Sequence, residues 1–254
     1  NEPAVEKLGA SAVKPNFDGV EAMKSKAELP AVLAYLHLRE QGNGQFFGFG
    51  SNQDFENATS VIAFASTGGL SLPDRDYYLK TDQRSVDLRN KYLVHVERMM
   101  QLLGDKPGVA KAEAKRIMEI EIALAKASLT RVEQRDPYKL FHKVDHKGLQ
   151  ELSPDFEWAT YIKGIGLPTQ TTFNVTQPAF YREFDNQLKT ASLNDIKTYL
   201  RWHSIHSAAP YLSTAFVNEN FDFFSKTLRG VPQLRPRWKR CVSLVDGQLG
   251  EALG

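Results

Sequence analysis

The chain has 254 residues, of which 42% are hydrophobic and 24% charged, with a formal net charge of +2. That is the balance of an ordinary globular protein long enough to bury a substantial core, as one large domain or two small ones. The near-neutral charge argues against wholesale binding to nucleic acid or a membrane surface, the single cysteine (Cys241) excludes an internal disulfide framework, and no apolar run reaches the roughly 18 residues of a membrane-spanning helix.

In chain order, residues 1–16 are weakly patterned and read as loop. A helix is expected over Asp18–Arg39, with Leu29, Val32, Leu33 and Leu36 as its apolar stripe; Pro30 splits it, the second piece starting near Leu29. Gln41-Gly42-Asn43-Gly44 is a break, and the aromatic and β-branched runs Phe46–Phe49 and Val61–Phe64 read as a β-hairpin. The stretch Gly68–Lys80 (GGLSLPDRDYYLK) marks the change from strand to helix: two glycines permit a tight turn, Pro73 fixes φ, and Asp74-Arg75-Asp76 sets charges beside Tyr77-Tyr78. Two long helices follow, one carrying Val86, Tyr92, Val96, Met99 and Leu103 and ended by Gly104, the next carrying Val109, Ile117, Ile120 and Leu124. Short helices are expected at Pro137–Val144, His146–Leu152 and Pro154–Lys163, the last with Ser153 as N-cap. Thr171–Val175 is β-prone, and Pro178 opens another helix. Three long helices, about Asn194–Leu212, Ser213–Leu228 and Pro236 to the end, complete a mostly α fold: a multi-helix lobe with a small β-hairpin near the N-terminus. Asn1 is not an initiator methionine and the chain stops inside a helical pattern, so a segment of a longer polypeptide is expected.

No histidine is followed by glutamate, so the His-Glu-x-x-His pattern of hydrolytic zinc helices does not occur. His142 and His146 stand at i and i+4, but Lys143 occupies the place of the general base, and Asp145 reads as the N-cap of a new helix. His203 and His206 fit a hydrogen-bonded contact between helices better than a metal site, since no third ligand accompanies them. The basic run Arg235-Pro236-Arg237-Trp238-Lys239-Arg240-Cys241 reads as the start of an amphipathic helix with Trp238, Val242, Val245, Leu249 and Leu253 as apolar stripe and a basic outer face. Asn57-Ala58-Thr59 and Asn174-Val175-Thr176 match the N-glycosylation acceptor pattern, a frequent chance match. On residues alone, the chain has no catalytic constellation.

Four segments nevertheless resemble the N-terminal, largely helical region of the neprilysin and endothelin-converting-enzyme family of zinc metallopeptidases. They are Gly69–Tyr78 (GLSLPDRDYY), Met118–Ala125 with Arg135-Asp136-Pro137, Leu193–Trp202, and Pro236–Val242 with Leu249–Gly254. The resemblance implies a two-lobed endopeptidase in which a helical lobe faces a zinc-bearing catalytic lobe across a cavity that admits small peptides. Residues 1–254 would then form an N-terminal domain, with helix, hairpin and connection over 1–80 and the helical lobe over 81–254. Zinc is implied for the parent enzyme and not for this chain, with peptide substrates and the catalytic lobe as partners and no nucleic-acid or membrane contact. It also implies that Cys241 can pair with a cysteine of the catalytic lobe, and an extracytoplasmic location, although cytosolic relatives occur in the family. Arg75, Asp76, Tyr77 and Tyr78 become candidate structural or cavity-facing residues, with Arg75 and Asp76 paired; none is assigned to catalysis. The alternative is a stand-alone helical binding module without peptidase activity.

Overall fold

The structure, a computed structural model, describes residues 2–40 and 44–253. Of the expected break, Gln41, Gly42 and Asn43 lie outside the described residues. The weakly patterned start, an expected loop, instead forms α1 (Glu2–Leu8) and the beginning of α2 (Lys14–Ala22). No residue of α1 is buried and only Val20 of α2 is, so neither helix has an apolar stripe to announce it. Tertiary contacts hold α1 in place: the Glu6 carboxylate accepts from the Thr214 amide at 3.0 Å and from its hydroxyl at 2.7 Å.

Pro30 lies in the first turn of α3 (Leu29–Arg39), where its missing N–H costs nothing. The hairpin pairs β1 (Phe47–Gln53) with β2 (Val61–Thr67), setting Phe47 opposite Thr67 and Gln53 opposite Val61. It is half of a four-stranded sheet of order β1-β2-β4-β3. β4 (Phe173–Val175) runs parallel to β2, and β3 (Lys143–Val144) antiparallel to β4. Strands of two and three residues carry no readable alternation, so the expected helix over Pro137–Val144 gives way to a 3-10 turn (Pro137–Leu140) and β3. The buried Asn174 stitches this edge, its Oδ1 accepting from the His142 amide at 2.7 Å and its Nδ2 donating to the Leu140 carbonyl at 2.9 Å.

The remaining elements are α4 (Asp76–Leu79), α5 (Gln83–Leu102), α6 (Pro107–Ala127), α7 (His146–Leu152), α8 (Trp158–Gly164), α9 (Pro178–Thr190), α10 (Leu193–Ala208), α11 (Thr214–Asn220) and α12 (Arg237–Leu253). α11 runs on into a π-helical turn over Phe221–Thr227. α8 starts later than expected: Glu157 is its N-cap, accepting from the Thr160 amide at 2.6 Å, while the Ser153 hydroxyl accepts from the Trp158 indole at 2.8 Å. Asp145 does cap α7, accepting from the Gly148 amide at 2.8 Å.

Two apolar cores result. One packs the sheet against α3, α8 and α9 around Phe47, Trp158, Tyr161 and Phe184; the other joins α5, α6, α10 and α11 around Tyr92, Ile117, Trp202 and Phe223. α6 and α10 belong to both: Ile120 and Tyr199 face the first core, Ile117 and Trp202 the second. Each core also draws on residues from both sides of residue 80.

Candidate functional site

The stretch 68–80 lies along the seam between the cores, and its backbone is shaped by close contact. Gly69 has φ +67°, and its carbonyl accepts from the Tyr199 hydroxyl at 2.7 Å. A Cβ there would run into that hydroxyl and lie 2.8 Å from the Cα of Phe46, so only glycine fits. Phe46 itself has φ 62°, the sole positive value outside glycine among the described residues, and its ring stacks on Tyr199 with centroids 4.2 Å apart.

Beyond the turn, the chain wraps a fully buried carboxylate, Glu121 of α6. Its Oε1 accepts from the Ser71 hydroxyl at 2.6 Å; its Oε2 accepts from Tyr92 at 2.8 Å and from Tyr78 at 3.1 Å. Tyr78 Oη in turn accepts from the Leu72 amide at 2.8 Å, and the Ser71 hydroxyl from the Trp202 indole at 2.9 Å. His203 Nε2 lies 3.3 Å from Oε1 without hydrogen-bond alignment. Burial, and then the Glu121 charge, push the Tyr78, Tyr92 and Tyr199 phenols well above their ordinary pKa, so all three remain protonated donors.

The four candidates of this stretch divide. Tyr78 is buried at the hub, whereas Tyr77 is half-buried and lines a broad surface cleft with Asp82 and Lys91. The expected Arg75–Asp76 pair does not form. Arg75 Nε donates to the Ala125 carbonyl at 3.2 Å, near the C-terminus of α6 where the helix dipole favours a cation. Asp76 sits in the first turn of α4 and pairs with Lys80 at 3.3 Å, while Asp74 takes Arg131 at 2.7 Å. The hub residues Ser71, Tyr92, Glu121 and His203 were not singled out as a set. A signal existed in Glu121 alone, an acid four residues after Ile117 and three before Leu124, on the apolar face of its helix.

In front of the hub opens a polar cleft of about 360 Å³, lined by His37, Glu40, Gln45, Ser71, His203 and His206 among others. The Glu40 carboxylate accepts from Asn16 Nδ2 at 2.8 Å, from Gln45 Nε2 at 2.6 Å and from the Ser204 hydroxyl. His37 is locked between the Tyr161 hydroxyl, 2.7 Å from Nδ1, and the Gln45 backbone; burial pulls its pKa down to about 4. Burial, with His203 and His95 nearby, takes His206 down to about 3.

His142 and His146 do not share a helix. His142 Nδ1 lies 3.1 Å from the Val175 carbonyl, and His146 meets the Phe173 ring edge-on. Among the described residues no group of three or more His, Cys, Asp or Glu is close enough to hold a metal ion, so this part of the chain offers zinc no ligand set. Asn174 is completely buried, which removes Asn174-Val175-Thr176 as a glycan acceptor in the folded state; Asn57 is exposed.

α12 is oriented opposite to expectation. Its basic residues turn inward: Arg237 donates to the Leu212 carbonyl at 3.0 Å and Arg240 to the Pro210 carbonyl at 2.8 Å. These carbonyls follow the end of α10 and lack intrahelical partners, so the guanidinium groups bind there. The apolar stripe therefore faces outward, with Trp238 64%, Val242 60%, Val245 47% and Leu249 51% exposed. Free Cys241 is exposed beside them; the side chain of Leu253 lies outside the described residues.

The pattern of peptidase family M13 matches residues 1–254. The chain belongs to this family. It is 29% identical over 216 residues to endothelin-converting enzyme 1 of Mus musculus, which covers 82% of this chain and 28% of that protein. Among solved structures, the zinc metalloprotease Zmp1 of Mycobacterium tuberculosis, in complex with an inhibitor, superposes with a TM-score of 0.91 at 30% identity. That match covers 99% of this chain and 38% of Zmp1. PepO of Lactobacillus rhamnosis shares the fold at 14% identity and a TM-score of 0.75 over 97% of this chain and 39% of its own. The M13 chain described here thus spans less than two fifths of each of these relatives.

Proposed function

We propose that these residues are the non-catalytic helical lobe of a zinc metalloendopeptidase that hydrolyses small peptides, and that the lobe walls the substrate cavity and restricts substrate size. One observation carries the reading: a zinc metalloprotease shares the fold across 99% of this chain, yet the chain accounts for only 38% of that protein. Zinc, where bound, polarises the scissile carbonyl and activates water. Among the described residues no group of three or more His, Cys, Asp or Glu lies close enough to hold it. Their contribution is a rigid wall, two cores tied through α6 and α10, that limits access to the reacting bond. The outward apolar face of α12 is the surface on which the catalytic lobe docks, with Cys241 placed for a disulfide to it.

The test has two arms. The 254-residue chain, given zinc and an internally quenched peptide, leaves the peptide intact; metal-dependent cleavage by this chain overturns the proposal. The coding sequence beyond Gly254 encodes a His-Glu-x-x-His helix. A stop codon there also overturns the proposal, in favour of a stand-alone binding module.

A further inference from the structure

The cleft between α3, the approach to β1, residues 69–73 and α10 has a one-sided electrostatic lining. Its charged side chain is Glu40, and among the described residues no lysine or arginine lines it. Among the described residues Glu40 makes no ion pair; Asn16, Gln45 and Ser204, all neutral, hold its carboxylate. A second carboxylate, Glu121, lies behind Ser71. His37 and His206 add no positive charge at neutral pH, because burial keeps both imidazoles deprotonated. Partly buried negative charge without a cation is a costly arrangement.

The hydrogen-bond inventory points the same way, independently of charge. Gln45 is only 2% exposed; its Nε2 donates to both Glu40 and Ser204, yet among the described residues its Oε1 has no partner. A buried amide oxygen without a donor is rare in folded proteins. Around Glu40 and Gln45 the cleft is thus short of both an N–H donor and a positive charge. Ammonium and guanidinium groups supply both. About 360 Å³ accommodates one such side chain or a peptide N-terminus, at the small end of ligand pockets.

We propose that this cleft is a subsite for one cationic head group, an ammonium or guanidinium, presented by a peptide. The identity of the presenter rests on the peptidase reading above; the cation preference does not. The ¹⁵N-labelled 254-residue chain is titrated with arginine amide and, separately, with citrulline amide, both acetylated at the α-amine so that the guanidinium is the sole cation; the ureido group of citrulline has nearly the same shape and no charge. Arginine amide shifts the Gln45 side-chain amide and the His203 and His206 rings saturably, and binds roughly tenfold or more tightly than citrulline amide. Equal binding of the two, or shifts confined to residues outside the cleft, overturns the proposal. Glu40→Gln abolishes the preference while the remaining spectrum stays native; a retained preference in that variant also overturns it. The citrulline comparison on the unaltered chain needs no variant to fold.

The two sources of the cation are separated in the longer protein. Replacing arginine by citrulline at one position of a peptide substrate raises KM if the peptide fills the cleft. Indifference at every position, with the preference of the 254-residue chain intact, overturns the peptide as presenter and assigns the cation to the longer protein itself. Absence of peptidase activity in the longer protein leaves the titration result standing.

Discussion

Glu121 shows what one buried charge does to its surroundings. Ser71, Tyr78 and Tyr92 all donate to it, and removing the carboxylate leaves a serine and two tyrosine hydroxyls without their acceptor. Glu121→Gln substitutes an N–H₂ for one oxygen and so confronts donor with donor. The expected cost is on the order of 3 kcal/mol or more in urea unfolding, against about 1 kcal/mol for Tyr92→Phe, which removes one hydrogen bond of several. Equal effects of the two would show that the charge is not the organising group. A pH dependence follows from the imidazoles. His37 and His206 have pKa values lowered from 6.5 to about 4 and about 3, so below pH 6.5 the unfolded chain binds protons that the folded chain refuses. Stability from these groups is fully present above pH 6.5 and falls as the pH drops toward 4 and then 3. Melting temperature measured across that range declines, and His37→Gln flattens the decline. The sequence marked Tyr92 and His203 as helix-face residues, but the carboxylate they meet, Glu121, lies 29 and 82 positions away along the chain. No local pattern joins such positions.

At the scale of elements, legibility followed length. α5, α6, α9 and α10 are long, strongly periodic or clearly capped, and the hairpin strands are rich in aromatic and β-branched residues; all are readable from the sequence. β3 and α1 are short or scarcely buried, and tertiary contacts decide them, whereas β4 falls inside the β-prone run Thr171–Val175. α12 shows a different limit. Its periodicity correctly gave a helix and an apolar stripe, but periodicity does not say which face meets the body. Here two arginines find unpaired carbonyls and win the inner side. Trp238→Ser with Val242→Ser therefore changes stability by no more than about 0.5 kcal/mol, whereas Arg237→Ala costs about 1–3 kcal/mol in the same denaturant titration. The reverse order would mean that the stripe is packed in solution.

For the whole molecule, family membership was legible in a few worded segments, and one of these, Gly69–Tyr78, lies along the seam between two cores. The polar cleft was not legible, because its lining comes from three separated parts of the sequence. Cys241 reports on assembly. In the 254-residue chain its exposed thiol reacts with a maleimide as a free cysteine does; the proposed docking of a catalytic lobe on α12 predicts that in a longer protein the reaction slows at least tenfold, by burial or by disulfide formation. Unchanged reactivity there would exclude α12 as the docking face.

The parallel pairing of β2 with β4 sets an order on synthesis. β2 is complete at Thr67, but the strand that covers its second edge begins only at Phe173. A ribosome adding about 5–20 residues per second leaves that edge open for several seconds. During this interval the hairpin is a half-finished sheet, able to pair with whatever strand arrives first. β4 thus serves as a late cover, and synthesis arrested before Phe173 yields a nascent protein with an adhesive edge.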